Sequence, residues 1–167
     1  MITRRTLLLS GTAAVAMGTS MSLFGKKEVA ARESVYAVTH TDAEWRKLLS
    51  PEAYQVLRHE ATERPGSSPL NSEHRAGLFA CAGCQQELFR SEDKFESGTG
   101  WPSFTRPIPG AVGESTDKSF FMTRTEVHCS RCGGHLGHVF PDGPAPTGLR
   151  YCMNGVAMTF VPGAAAS

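Results

Sequence analysis

From Gly77 onward the apolar positions come in short runs, GLFAC, KSFFMTRTEVHC, GHVF and LRYCMNGVAMTFV, either apolar throughout or alternating with polar residues. Gly- and Pro-rich breaks separate them, and no stretch sustains the helical repeat. The pattern predicts an antiparallel β domain with tight turns. Upstream the texture differs. TDAEWRKLLS opens with Thr41 and Glu44, a spacing in which each side chain satisfies an unpaired backbone amide of the other. SPEAYQVLRHE has Ser50 as N-cap and Pro51 at the first helical position, where a missing N–H is harmless. Two short helices are therefore expected before the β part, preceded by an extended lead-in over residues 32–40 and followed by a loop at ERPGSSPLN.

The first residues stand apart from this scheme. MITRRTLLLSGTAAVAMGTSMSLFG sets two adjacent arginines before an uncharged stretch from Thr6 to Phe24. It resembles a twin-arginine export signal, an address read by a receptor rather than part of a fold. Small residues at Val29 to Ala31 offer a cleavage site before Arg32. The expected division is a signal over 1–31 and a folded domain over 32–167, with a periplasmic or otherwise exported location. An uncleaved signal acting as a membrane anchor is the alternative. Composition agrees with a soluble globular domain, at 40% hydrophobic and 20% charged residues. Residues 1–31 hold Arg4, Arg5, Lys26 and Lys27 against Glu28, so the remaining 13 basic and 15 acidic side chains of the chain's 17 and 16 leave the domain at −2. Without a basic excess, a nucleic-acid partner is not expected.

Cysteine chemistry changes the picture most. Four of the five cysteines form two CxxC pairs, Cys81/Cys84 in CAGC and Cys129/Cys132 in CSRC, with 44 residues between them. Two such knuckles complete a tetrahedral sulfur shell suited to zinc; two disulfides are the alternative. Four thiolates leave no open position for substrate, so the zinc is expected to be structural. Export of a domain already folded around zinc would shield its thiols from oxidation. The fifth cysteine, Cys152, lies in LRYCMN. Read as a strand, this segment sends Leu149, Tyr151 and Met153 to a core and Arg150, Cys152 and Asn154 to the other face. A cation and an amide beside a thiol favour thiolate; an inert cysteine on a strand is the plainer reading. GGHLGHVFPDGP adds His135, His138 and Asp142, groups able to move protons and orient a site. In SGTGWPSF, Trp101 sits beside Gly98 and Gly100, where an aromatic ring can wall an apolar pocket.

GTGWPSF, HLGHVFPDGP and RYCMN, with the two CxxC pairs in this order, closely resemble the peptide-methionine (R)-S-oxide reductases over roughly residues 41 to 162. The resemblance implies a mainly β fold of two antiparallel sheets with short N-terminal helices and a structural zinc on Cys81, Cys84, Cys129 and Cys132. It implies reduction of the R epimer of protein-bound methionine sulfoxide. Residue by residue, Cys152 corresponds to the nucleophile, His138 to the proton donor assisted by His135, and Asn154 to a positioning amide. Arg150 and Asp142 correspond to supporting charges, and Trp101 to the wall that takes the substrate's methyl group. Many members carry a resolving cysteine in the form GCGWPSF; here that position is Thr99. With four cysteines on zinc, Cys152 has no partner in the chain. A monomer is expected that acts on oxidised proteins or peptides, its sulfenic acid reduced by a thioredoxin-like protein or another thiol. A zinc-binding interaction module, a cysteine hydrolase and a CxxC thiol oxidoreductase are the competing classes; metal content and dependence on reductant separate them.

Overall fold

The computed structural model describes residues 36–119 and 122–163. The export signal expected over 1–31 lies outside them. Helix α1 spans Asp42–Leu48 and α2 spans Pro51–His59. Their starts follow from local chemistry. The Glu44 carboxylate accepts the Thr41 N–H at 2.8 Å while the Thr41 hydroxyl accepts the Glu44 N–H at 3.3 Å. The Ser50 hydroxyl caps α2 by accepting the Ala53 N–H at 3.1 Å. Trp45 of α1 and Ala53, Tyr54, Val56 and Leu57 of α2 are buried, the inner faces of otherwise polar helices.

Nine strands follow among the described residues: β1 Gly77–Cys81, β2 Glu87–Arg90, β3 Lys94–Phe95, β4 Ser103–Phe104, β5 Val112–Asp117, β6 Arg124–Cys129, β7 His135–Phe140, β8 Arg150–Met153 and β9 Met158–Pro162. They form two antiparallel sheets, a three-stranded one in the order β2-β1-β9 and a six-stranded one in the order β3-β4-β8-β7-β6-β5. This is the mainly β architecture expected, with two differences in how the runs divide. LRYCMNGVAMTFV is two strands in different sheets, because a 3-10 turn at Gly155–Ala157 carries the chain from β8 across to β9. In KSFFMTRTEVHC the strand begins only at Arg124. Asp117 ends β5 by accepting the Ser119 N–H on its side chain at 2.8 Å, which turns the chain before β6 can start.

The core lies between the sheets. Phe79 and Phe89 of the three-stranded sheet meet Phe104 of the six-stranded one, Phe89 stacked at 4.3 Å between centroids and Phe79 edge-on at 4.9 Å. Leu88, Val127, Leu136 and Met153 complete this fully buried layer. The opposite face of the six-stranded sheet is polar, and a single irregularity shapes it. His128 pairs with His135 but Val127 pairs with Gly137, so Leu136 is an extra residue in β7. In a regular strand, side chains three positions apart face opposite ways. The bulge brings His135 and His138 to one face, with ring centroids 5.4 Å apart.

Candidate active site

Cys152 lies near the middle of that polar face. Its cross-strand partners are His138 on β7 and Ser103 on β4. The loop before β4 folds over it and brings Thr99 Oγ1 to 3.9 Å from Cys152 Sγ. Burial pushes the Cys152 thiol above its ordinary value, and Thr99, Arg150 and Ser103 pull it back only in part. The thiolate-favouring surroundings read from the sequence are therefore outweighed at rest. The physical reason is twofold: the thiol is half-buried, and the Arg150 guanidinium is already committed. It forms a bidentate pair with Asp142 at 2.9 and 2.9 Å and stacks 4.6 Å from the Phe140 ring.

The two histidines are each held by a carboxylate from the β5/β6 hairpin. His138 Nε2 lies 2.8 Å from Asp117 Oδ2. Hydrogen bonds from the Ser119 backbone and hydroxyl, then from His138 and Arg124, keep Asp117 ionised far below the carboxylate range. Burial lowers His138 more than Asp117 raises it, so at neutral pH the ring is uncharged. A neutral ring beside an ionised carboxylate keeps its proton on the nitrogen that faces it, and Nδ1 of His138 is then the bare acceptor. His135 is buried, and its Nδ1 lies 2.9 Å from Glu126 Oε1. Burial opposes ionisation of Glu126, but hydrogen bonds from His128, His135 and Ser115 prevail and hold it far below its ordinary value. His135 Nε2 is buried and makes no hydrogen bond to a described protein group.

A third constellation joins the loop after α2 to the site. Trp101 Nε1 donates to the Glu63 carbonyl at 3.2 Å. The Asn154 side chain accepts the Glu63 N–H at 3.0 Å and donates to the Leu136 carbonyl at 3.0 Å. The Glu63 carboxylate in turn accepts the N–H groups of Gly155 and Val156. β8 ends at Met153, one residue before Asn154, whose buried amide is spent on backbone groups.

Sequence reasoning missed Glu63, Asp117, Arg124 and Glu126. A signal for part of this set was present, since Arg124, Glu126 and His128 alternate in RTEVHC and so share a face. Glu63 had none, being one charged residue in a loop.

The paired cysteines converge as expected. The four sulfurs of Cys81, Cys84, Cys129 and Cys132 lie within 4.8 Å of one another. Cys81 and Cys132 sulfurs are 3.7 Å apart, Cys84 and Cys129 sulfurs 3.5 Å. None of these cysteines is paired in a disulfide here, the nearest sulfurs lying well beyond the length of an S–S bond. A Zn–S bond of about 2.3 Å sets tetrahedral S···S edges of about 3.8 Å, so the donor set fits that ion. The two knuckles share one turn. Gln85 and Gly133, each four residues after the first cysteine, both have left-handed backbones, and each donates its N–H to the carbonyl of that cysteine at 2.9 Å. Because one knuckle ends β1 and the other ends β6, the cluster clamps the two sheets together.

Fold and site define a class, a small two-sheet β enzyme clamped by four cysteines with a separate thiol on its polar face. Residues 49–162 match the SelR domain. The chain is 54% identical over 126 residues to the peptide methionine sulfoxide reductase MsrB of Agrobacterium fabrum, covering 75% of this chain and 93% of that protein. It is 56% identical over 126 residues to the protein of that name from Bradyrhizobium diazoefficiens, covering 75% and 91%. With the one from Methanosarcina barkeri it shares 57% over 125 residues, covering 74% and 88%. The chain belongs to the MsrB family of peptide methionine sulfoxide reductases.

Proposed function

We propose that the chain reduces the R epimer of protein-bound methionine sulfoxide, with Cys152 as nucleophile and a cysteine sulfenic acid as intermediate. Family membership supports the reaction. The observation that carries the assignment of groups is the cross-strand pairing of Cys152 with His138, itself bonded to Asp117. In this reading the thiol proton passes to the bare Nδ1 of His138, and Asp117 steadies the imidazolium. The Cys152 sulfur attacks the sulfoxide sulfur. A sulfoxide oxygen leaves poorly until protonated, and His138 returns the proton to it. The sulfoxide S–O bond breaks as the hydroxyl passes to the Cys152 sulfur, the S–S bond formed in the attack breaks with its electron pair leaving on methionine, and Cys152 ends as S–OH, two electrons having passed from thiol to substrate. His135, fixed by Glu126 through Nδ1, assists His138, its ring edge-on to that of His138 at 5.4 Å between centroids. Trp101, anchored on Glu63, walls the methyl pocket, while Arg150 and Asp142 brace the rim and Asn154 positions the loop.

The other four cysteines are gathered in their own cluster, so regeneration falls to an external thiol. Two reductant thiols return Cys152–SOH to Cys152–SH, giving one disulfide and one water. Cys81, Cys84, Cys129 and Cys132 would hold a zinc ion whose contribution is structural. Residues 1–31 are proposed to export the domain, as a monomer, to a compartment where surface methionines are oxidised.

The test is consumption of a blocked methionine sulfoxide containing both epimers, with dithiothreitol, by wild type and Cys152→Ser. Loss of the R epimer alone, abolished by the substitution, is the expected result. Turnover by folded Cys152→Ser, or none by folded wild type, would overturn the reading.

A further inference from the structure

Three hydroxyls on one side of Cys152 form a connected chain that the mechanism above does not use. Ser103, fully buried on β4 and directly opposite Cys152, has its Oγ 2.8 Å from Ser97 Oγ and 3.1 Å from the Trp101 carbonyl. Ser97 Oγ is 2.8 Å from Thr99 Oγ1 and also accepts the Thr99 N–H at 3.4 Å. Thr99 Oγ1 closes the chain on Cys152 Sγ at 3.9 Å.

We propose that Ser97, Thr99 and Ser103 are a reversible hydroxyl relay that stabilises the anionic forms of Cys152, the thiolate before turnover and the sulfenate after it. A hydroxyl both donates and accepts, and its hydrogen rotates to suit. With the thiol protonated, Thr99 donates to Ser97, Ser97 to Ser103 and Ser103 to the Trp101 carbonyl, leaving a Thr99 lone pair for the S–H. When the sulfur becomes anionic the three hydrogens turn the other way. Ser103 donates to Ser97, Ser97 to Thr99, and Thr99 to the sulfur. Each arrangement satisfies the chain, and no proton leaves its oxygen. Thr99 stands where the GCGWPSF form would carry a thiol. Thr99 touches the reacting sulfur and is catalytic in this sense; Ser97 and Ser103 are positioning residues.

The sulfenate half of the proposal rests on the mechanism above, whereas the thiolate half does not, and the test is built on the latter. Reduced, zinc-loaded full chain is alkylated with iodoacetamide across a pH series, and labelling of Cys152 is followed by peptide mass spectrometry. Loss of a hydrogen bond to a charged group predicts a rate about tenfold lower at neutral pH for Thr99→Val and a midpoint about one pH unit higher. Thr99→Ser restores the wild-type profile, and Ser97→Ala moves it in the direction of Thr99→Val by less. A role in packing alone would leave the profile unmoved, since Val fills the place of Thr. Superimposed profiles for folded wild type and Thr99→Val would overturn the proposal; so would a Thr99→Ser profile matching Thr99→Val. Alkylation needs no sulfoxide, so a wild type unable to reduce the substrate would count against the mechanism and leave this test standing.

Discussion

Glu63 gives the clearest quantitative handle on how the site is held. Its carboxylate accepts two backbone N–H groups, from Gly155 and Val156, in the turn that joins the sheets. Glu63→Ala leaves both donors without a partner, and Gly155 is buried. A hydrogen bond to a charged group contributes roughly 1.5–3 kcal/mol, so two would give about 3–6 kcal/mol. Burial of the carboxylate raises its pKa and works against the ionised form, and the N–H bonds only partly offset this. The expected net loss is therefore nearer about 2–4 kcal/mol. For a domain of this size each kcal/mol shifts the melting midpoint by about 4 °C, which predicts a fall of about 8–16 °C by circular dichroism. Glu63→Gln retains one acceptor oxygen and should lose about half as much. Because the Glu63 backbone anchors both the Trp101 indole and the Asn154 amide, KM for the sulfoxide should rise in Glu63→Ala at temperatures where the variant is folded. A midpoint within about 2 °C of wild type would refute the reasoning, since it would mean the two N–H groups find other partners at no cost.

Two further outcomes follow from the same geometry. Cys84→Ser should lose zinc, read by metal analysis, and unfold, because a site of this kind contributes about 10–16 kcal/mol against total stabilities of about 5–15 kcal/mol; a folded, metal-free variant would contradict the clamp. Glu126 is held below its ordinary value of 4.5, so its stabilisation is complete above that pH and lost as pH falls toward the depressed value. Glu126→Gln should be less stable than wild type at neutral pH by about 1–3 kcal/mol and converge with it in acid; a pH-independent difference in denaturant midpoint would refute the assignment.

What could be read from the chain and what could not divide along a physical line. Helix starts were legible because caps are local: Thr41 with Glu44, and Ser50 with Pro51, are decided within a few residues. The four-cysteine cluster was legible because each knuckle is a single turn. The polar face was not, because it is assembled by register. That Asp117 meets His138 depends on β5, β6 and β7 lying side by side, and that His135 shares the face of His138 depends on the Leu136 bulge. The passage of the chain between sheets at Asn154 was hidden for a related reason. Asn154, Gly155 and Val156 interrupt an apolar run by only a few residues, and the partner that makes them a turn, Glu63, lies about ninety positions earlier.

That turn also explains why stability and chemistry are not separable here. Cys152 is two residues before Asn154, and Trp101 two before Ser103, its cross-strand partner. Asn154 and Trp101 both bond to the backbone of Glu63. The segments that carry Cys152 and Trp101 are therefore tied to the same loop residue. The cysteine clamp, at the ends of β1 and β6, sits on neither of these tethers. The expected signature is a split: substitutions at Glu63 alter KM and stability together, while loss of one of the four clustered cysteines is expected to remove the fold outright and leave no partly active state to measure.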